Sequence, residues 1–211
     1  MDNNHDLHGN APDSSSVALL IIDMINDLEF EDAELIFDAA LAAAGRIAEL
    51  KKRARAAGIP VIYSNDNFGR WRSDFREVTE HVLNDGVLGQ PLAELLRPDE
   101  DDYFVLKPKH SAFFATTMET LLRYLGARQL ILTGIATDIC VLFSANDAYM
   151  RDFELLVPSD CVAANLAEEN EHALEYIERV LKADIRPSGQ LDLWGMVQAA
   201  PAVTVGTPTS R

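Results

Sequence analysis

Short, almost uninterrupted apolar runs recur along this chain, each followed by a longer helical pattern, and that alternation restricts the fold more than any other feature. The runs are 17–22 (VALLII), 60–64 (PVIYS), 103–106 (YFVL), 129–133 (QLILT) and 153–157 (FELLV), with a weaker sixth at 183–186 (ADIR). A strand with one wet face alternates apolar and polar residues. A run that is apolar throughout is covered on both faces, as in a parallel sheet. Helical patterns fill the gaps. Residues 33–57, rich in Ala, Leu, Ile and charged side chains, stop at Gly58-Ile59-Pro60, and 115–125 stops at Gly126. Residues 138–151 open with Asp138 as the expected N-cap, and 168–182 open with acids suited to the positive end of a helix. Strand alternating with helix makes βαβ units. The expected fold is therefore α/β, a three-layer, doubly wound, Rossmann-like sheet of about six mostly parallel strands.

At 211 residues the chain has the length of one domain, drawn here as 17–198, with polar tails at 1–16 and 199–211 expected to fray. No apolar run approaches the roughly 18–20 residues that cross a bilayer, because Asp23 and Asp27 interrupt the best candidate. The first sixteen residues lack the basic start and apolar stretch of a secretory leader, so a cytoplasmic protein with no membrane partner is expected. With 34 acidic and 18 basic side chains the formal charge is −16, which repels phosphate backbones and argues against nucleic acid as a partner. Two cysteines, Cys140 and Cys161, are too few for a disulfide scaffold. The segment 66–102 fits the alternation poorly. It holds NFGRWRSDF, a short amphipathic stretch at 76–84, and PDEDD at 98–102, read as a solvated turn before a strand.

Ligands of an open parallel sheet bind outside the carboxyl ends of its strands, where the strand order reverses. Asp23 follows the first run, Lys107 the third, and the TGIATDIC that follows the fourth places Cys140 in the first turn of a helix. Each has an ordinary explanation alone: a cap, a surface lysine, a small buried hydrophobe. Together they bring a carboxylate, an ammonium and a thiol to one crevice. A free thiol titrates near 8.5 and reacts as its thiolate. A helix end contributes about 0.3–1 kcal/mol, less than the roughly 1.36 kcal/mol of one pKa unit, so Lys107 has to help if the thiolate is populated near neutrality. Asp23 can then accept the thiol proton and return it to a leaving amine.

The motifs ALLIIDMINDL, VLKPKHSAF, TGIATDICVLFSANDA and LLVPSDCVAA, in that order, resemble the isochorismatase-like hydrolases over about residues 17–186. The resemblance implies the isochorismatase-like fold and a catalytic triad of Asp23, Lys107 and Cys140. Lys107 is chosen over Lys109 because the family's lysine stands four residues before the Ser of SAF. The resemblance also implies a cis peptide at Ile135–Ala136, which would direct the N–H groups of Ala136 and Cys140 at an oxyanion. Isochorismate-cleaving members carry Gly where this chain has Cys140. Cys140 therefore implies hydrolysis of a C–N bond in a small amide or ureido compound through a thioester, which water activated by Asp23 then releases.

Metal-dependent nicotinamidases carry Asp-x-His after the second strand. Here Asn67 stands near the place of a ligand histidine and no histidine occurs between Ile59 and His81, so neither a metal nor another cofactor is expected. Asn67, Phe68 and Trp71 are expected to line the crevice, with Arg70 and Arg72 beside them. His110 reads as a surface residue more readily than a catalytic one, and Cys161 as a quiet core thiol. Family members usually associate, which implies a homo-oligomer. Two other readings stay open at this level: a non-catalytic small-molecule-binding or thiol redox-sensing protein on the same scaffold, and a hydrolase of a non-amide substrate.

Overall fold

A computed structural model describes residues 13–67 and 74–199. The first strand, β1 (Val17–Ile22), shows why the alternation was informative: all six of its side chains are buried. Val17, Leu19 and Ile21 face one apolar cluster while Ala18, Leu20 and Ile22 face a second. An uninterrupted apolar run is what a strand needs to serve two cores at once.

Around it lie β2 (Val61–Asp66), β3 (Tyr103–Lys107), β4 (Gln129–Ile135), β5 (Glu154–Leu156) and β6 (Val162–Ala163), paired in parallel in the order β3-β2-β1-β4-β5, with β6 also against β4. One face is covered by α1 (Ala33–Ala56), α2 (Phe75–Asn84) and α3 (Gln90–Leu95), with α7 (Leu193–Ala199) at its margin. The other is covered by α4 (Met118–Leu125), α5 (Leu142–Tyr149) and α6 (Ala167–Leu181). This is the three-layer, doubly wound α/β arrangement expected from the sequence. The order turns back between β1 and β4, so the crevice above those two strands is where a ligand belongs.

Four expectations need correction. The sixth strand is Val162–Ala163, while Asp184, within the 183–186 run, makes a single parallel bridge to Leu156. β4 is long enough to pair β5 along Gln129–Ile131 and then β6 along Gly134–Ile135, so a two-residue strand suffices. Residues 13–16, assigned to the fraying tail, are tied in: the Ser15 N–H donates to the Leu125 carbonyl at 2.9 Å and Tyr103 Oη to Asp13 Oδ2 at 2.7 Å. At the other end α7 carries the fold to Ala199, one residue past the drawn boundary. The remainder of both tails, 1–12 and 200–211, lies outside the described residues. PDEDD is the exposed turn expected before β3 at Asp99, Glu100 and Asp101, but not at its last residue. The Asp102 side chain is 1% exposed and pairs with Lys51 Nζ at 2.6 Å and Arg55 at 2.7 Å, because α1 presents both cations at the amino end of β3.

Among the described residues no helix is long and apolar enough to cross a membrane.

Candidate active site

β1 leads straight into Asp23, whose backbone turns to φ 53°, a left-handed conformation that aspartate tolerates better than most residues. Its N–H still donates to the Ser64 carbonyl at 2.9 Å, extending the ladder to β2. Its carboxylate lies across the end of β2 and accepts the Asp66 N–H on Oδ1 at 2.8 Å. Lys107 comes from the last position of β3, in register with Asp66. That is two strands from β1, about 9–10 Å at the usual spacing, and only a long side chain closes such a gap. Lys107 does so: it is fully buried, with Nζ 2.7 Å from Asp23 Oδ2 and 3.8 Å from Asp66 Oδ2.

From the other side of the switch point, β4 delivers Cys140. Gly134, at φ +116°, lets β4 press on β1; a Cβ there would lie 2.0 Å from the Ile22 carbonyl oxygen. The next peptide, Ile135–Ala136, is cis. Thr137–Val141 then form one turn of π-helix, with the Val141 N–H reaching back to the Ala136 carbonyl at 3.1 Å. Asp138 is accordingly the second residue of this turn and not the N-cap, a position held by Ala136. The turn is braced by Thr137 Oγ1, which donates to Asn170 Oδ1 on α6 at 2.5 Å, and by Ser144 Oγ, which donates to the Cys140 carbonyl at 2.7 Å. Cys140 Sγ lies 3.5 Å from Lys107 Nζ.

The three groups assigned from separate strand ends thus meet. Their electrostatics differ in one respect from the sequence reading. Burial, and next the Asp23 charge, push the Cys140 thiol up to about 12, and Lys107 only partly offsets them. Burial likewise raises Asp23 above the usual carboxylate range, against the opposing pull of Lys107. Burial works against the Lys107 ammonium, but Asp23, Cys140 and Asp66 outweigh it and hold its pKa up. Beside the Asp23–Lys107 pair, burial and the Asp23 charge thus favour the protonated thiol over a standing thiolate.

His110, set aside as a surface residue, is exposed, yet its Nδ1 lies 3.8 Å from Cys140 Sγ and its ring leans on Phe143 at 5.4 Å. The sequence signal was its place three residues after Lys107, which brings it back over the same strand end. Ser111 and Ala112 fix that segment: Ser111 Oγ donates to Asp147 Oδ2 at 2.5 Å, and the Ala112 N–H donates to Ser144 Oγ at 2.9 Å. Asn67 is buried at the end of β2, its N–H bonded to the Lys107 carbonyl at 3.1 Å. Phe68 and Trp71, with Arg70 and Arg72, lie outside the described residues. Cys161 is fully buried in the α1-side core, with Sγ 3.6 Å from Asp160 Oδ1. Among the described residues no three His, Cys, Asp or Glu side chains converge as metal ligands do.

Known proteins resemble this chain in sequence and in fold. An isochorismatase domain model matches residues 17–184. The isochorismatase family protein YaaI of Bacillus subtilis is 43% identical over 174 residues, covering 82% of this chain and 95% of that protein. The ureidoacrylate amidohydrolase RutB of Rhizobium rhizogenes is 31% identical over 168 residues, covering 66% of this chain and 67% of its own. Among solved structures, N-carbamoylsarcosine amidase from Thermoplasma acidophilum superposes with a TM-score of 0.66 at 28% identity, over 84% of this chain and 99% of its own. With one domain model spanning every strand of the sheet, and a relative matching almost end to end, the chain belongs to the isochorismatase family.

Proposed function

We propose that this protein is a cysteine hydrolase that cleaves the C–N bond of a small amide or ureido compound through a thioester on Cys140. The observation that carries the reading is a single ammonium, Lys107 Nζ, lying 2.7 Å from Asp23 and 3.5 Å from the Cys140 sulfur. A thiol that rests protonated needs a base at the moment of attack. Asp23 supplies it. The S–C bond forms as the thiol proton passes to Asp23, and Lys107 holds the charge that develops on sulfur. The N–H groups of Ala136 and Cys140 donate to the oxyanion. Collapse breaks the C–N bond, Asp23 protonates the departing amine, and water then releases the acid from the thioester. Two of the similar proteins, an amidase and an amidohydrolase, bear names of this reaction class. The partners inferred are the small-molecule substrate and further copies of this chain, and the inferred compartment is the cytoplasm.

A redox-sensing thiol is low in pKa and open to solvent. Cys140 is half-buried and lies beside the Asp23 charge, which opposes the thiolate, and both weigh against that alternative.

Cys140→Ala removes the nucleophile without touching the strands, so turnover of a panel of small amides should fall to background while circular dichroism stays unchanged. Intact-mass spectra of the wild type should show acyl adducts on Cys140. Near-normal turnover in the Ala variant would overturn the assignment.

A further inference from the structure

Lys107 is fully buried, and a buried ion left without a counter-charge is strongly destabilising. Before reaction, Asp23 Oδ2 answers the ammonium at 2.7 Å. The cysteine-hydrolase reading above removes that partner during the first half-reaction. As the S–C bond forms, the thiol proton passes to Asp23 and the carbonyl electron pair moves onto oxygen, where the Ala136 and Cys140 N–H groups hold it. Asp23 is then neutral, and the sulfur is bonded to carbon without charge. Among the described residues one other acid pairs with Lys107. It is Asp66, with Oδ2 3.8 Å from Nζ. The backbone fixes this approach, because the two residues face each other on the last rung of β2 and β3 and the Asn67 N–H donates to the Lys107 carbonyl at 3.1 Å. The Asp66 N–H also donates to Asp23 Oδ1 at 2.8 Å, so one residue adjoins both members of the pair. The two acids differ in exposure, 34% for the Asp66 side chain against 7% for Asp23, and burial makes Asp23 the better proton acceptor. The Asp66 charge is one of those that hold the Lys107 pKa up.

Resting on that reading, we infer that Asp66 is a positioning residue, the standing counter-charge that holds the Lys107 ammonium between Asp23 and Cys140 while Asp23 carries the thiol proton. It acts through Lys107 and exchanges no proton itself. It also divides the pull of the ammonium. With Asp66 neutral, Asp23 would have Lys107 to itself, which lowers the Asp23 pKa and makes it a poorer base for the thiol.

The test uses the full chain and p-nitrophenyl acetate, which acylates a thiol and releases a coloured phenolate, with Cys140→Ala as the blank. Asp66→Asn keeps the shape of the side chain and the N–H to Asp23. In single turnover with enzyme in excess, its acylation rate constant should fall on the order of 10-fold, the equivalent of one pKa unit of charge interaction. The half-saturating enzyme concentration should stay where it was. The acid limb of the acylation rate should move to lower pH, a shift that a merely structural lesion does not produce. Asp66→Glu, which restores a carboxylate, should recover most of the rate and return the limb toward its wild-type position. An Asn variant with the wild-type rate, a loss of rate with the limb unmoved, or a Glu variant no better than the Asn variant overturns the role of Asp66 and leaves the thioester reading standing. If intact mass finds no acetyl group on Cys140 in the wild type, the thioester reading itself falls, and this inference with it.

Discussion

Asp23 has two opposed effects on its neighbour. In the mechanism proposed above its carboxylate is the base that the thiol requires, and its charge also opposes loss of the thiol proton. Asp23→Asn separates the two. Turnover should be lost, yet iodoacetamide should label Cys140 faster than in the wild type at any given pH. Removing a like charge lowers the thiol pKa while Lys107 stays in place. Unchanged or slower labelling would mean that the carboxylate does not oppose the thiolate. The pH profile carries the same sign. The working form of Asp23 is ionised and burial raises its pKa, so kcat/KM should fall with acid at a pH above the ordinary carboxylate range. A rate flat down to pH 4 would contradict this. At this scale the residue types and strand-end positions were legible, because a carboxylate, an amine and a thiol at three strand ends are hard to produce by chance. The thiol's protonation was not. It depends on how deeply the neighbours bury it, which spacing along a chain does not record.

Among the elements, β4 and the turn after it hold the most information per residue. Gly134 is where β4 leans on β1, and Gly134→Ala would combine a backbone angle hostile to a side chain with a Cβ 2.0 Å from the Ile22 carbonyl. A loss of about 3 kcal/mol or more is expected in urea unfolding, from backbone strain and overpacking acting together. Most elements were readable because their periodicity was strong: β1 matches its apolar run residue for residue, and α1 ends one residue short of its expected limit, before Gly58 at φ 72°. The misreadings share a cause. β6 has two residues, α3 has six, and the π turn spans five, all too short for periodicity to rise above composition. His110 sits on a bend of the same kind, so its approach to the thiol was visible only once the chain had folded back.

For the molecule as a whole, the two ends of the sheet carry different burdens. The candidate catalytic groups Asp23, Lys107 and Cys140 gather at the carboxyl ends of the strands. Toward the amino end of β3, Lys51 bonds Tyr63 Oη, the Arg97 carbonyl, Asp99 and Asp102. Lys51→Met would leave the buried Asp102 with Arg55 and the Asp99 N–H and without its closest cation. It should cost about 3 kcal/mol of stability while leaving kcat/KM where it was, since β3 separates it from the site by roughly 16 Å of strand. A fall in kcat/KM matching the stability loss would show that the two ends are coupled. The formal charge of −16 adds a global effect. Self-repulsion of a compact polyanion is screened by salt, so Tm should rise between low and physiological ionic strength.

The register of β3 against β2 has a consequence of its own. Asp66 and Lys107 face each other at the last rung of the ladder, and successive side chains of a strand point to opposite faces. Deleting one residue between 103 and 106 would turn the ammonium toward the wrong layer or withdraw it by a rung. Lengthening or shortening the connection between β2 and β3 shifts no rung at all. A lineage built on this frame is therefore free to gain and lose residues in that connection, while the cluster at the strand ends tolerates replacement of neighbours but not a change in count.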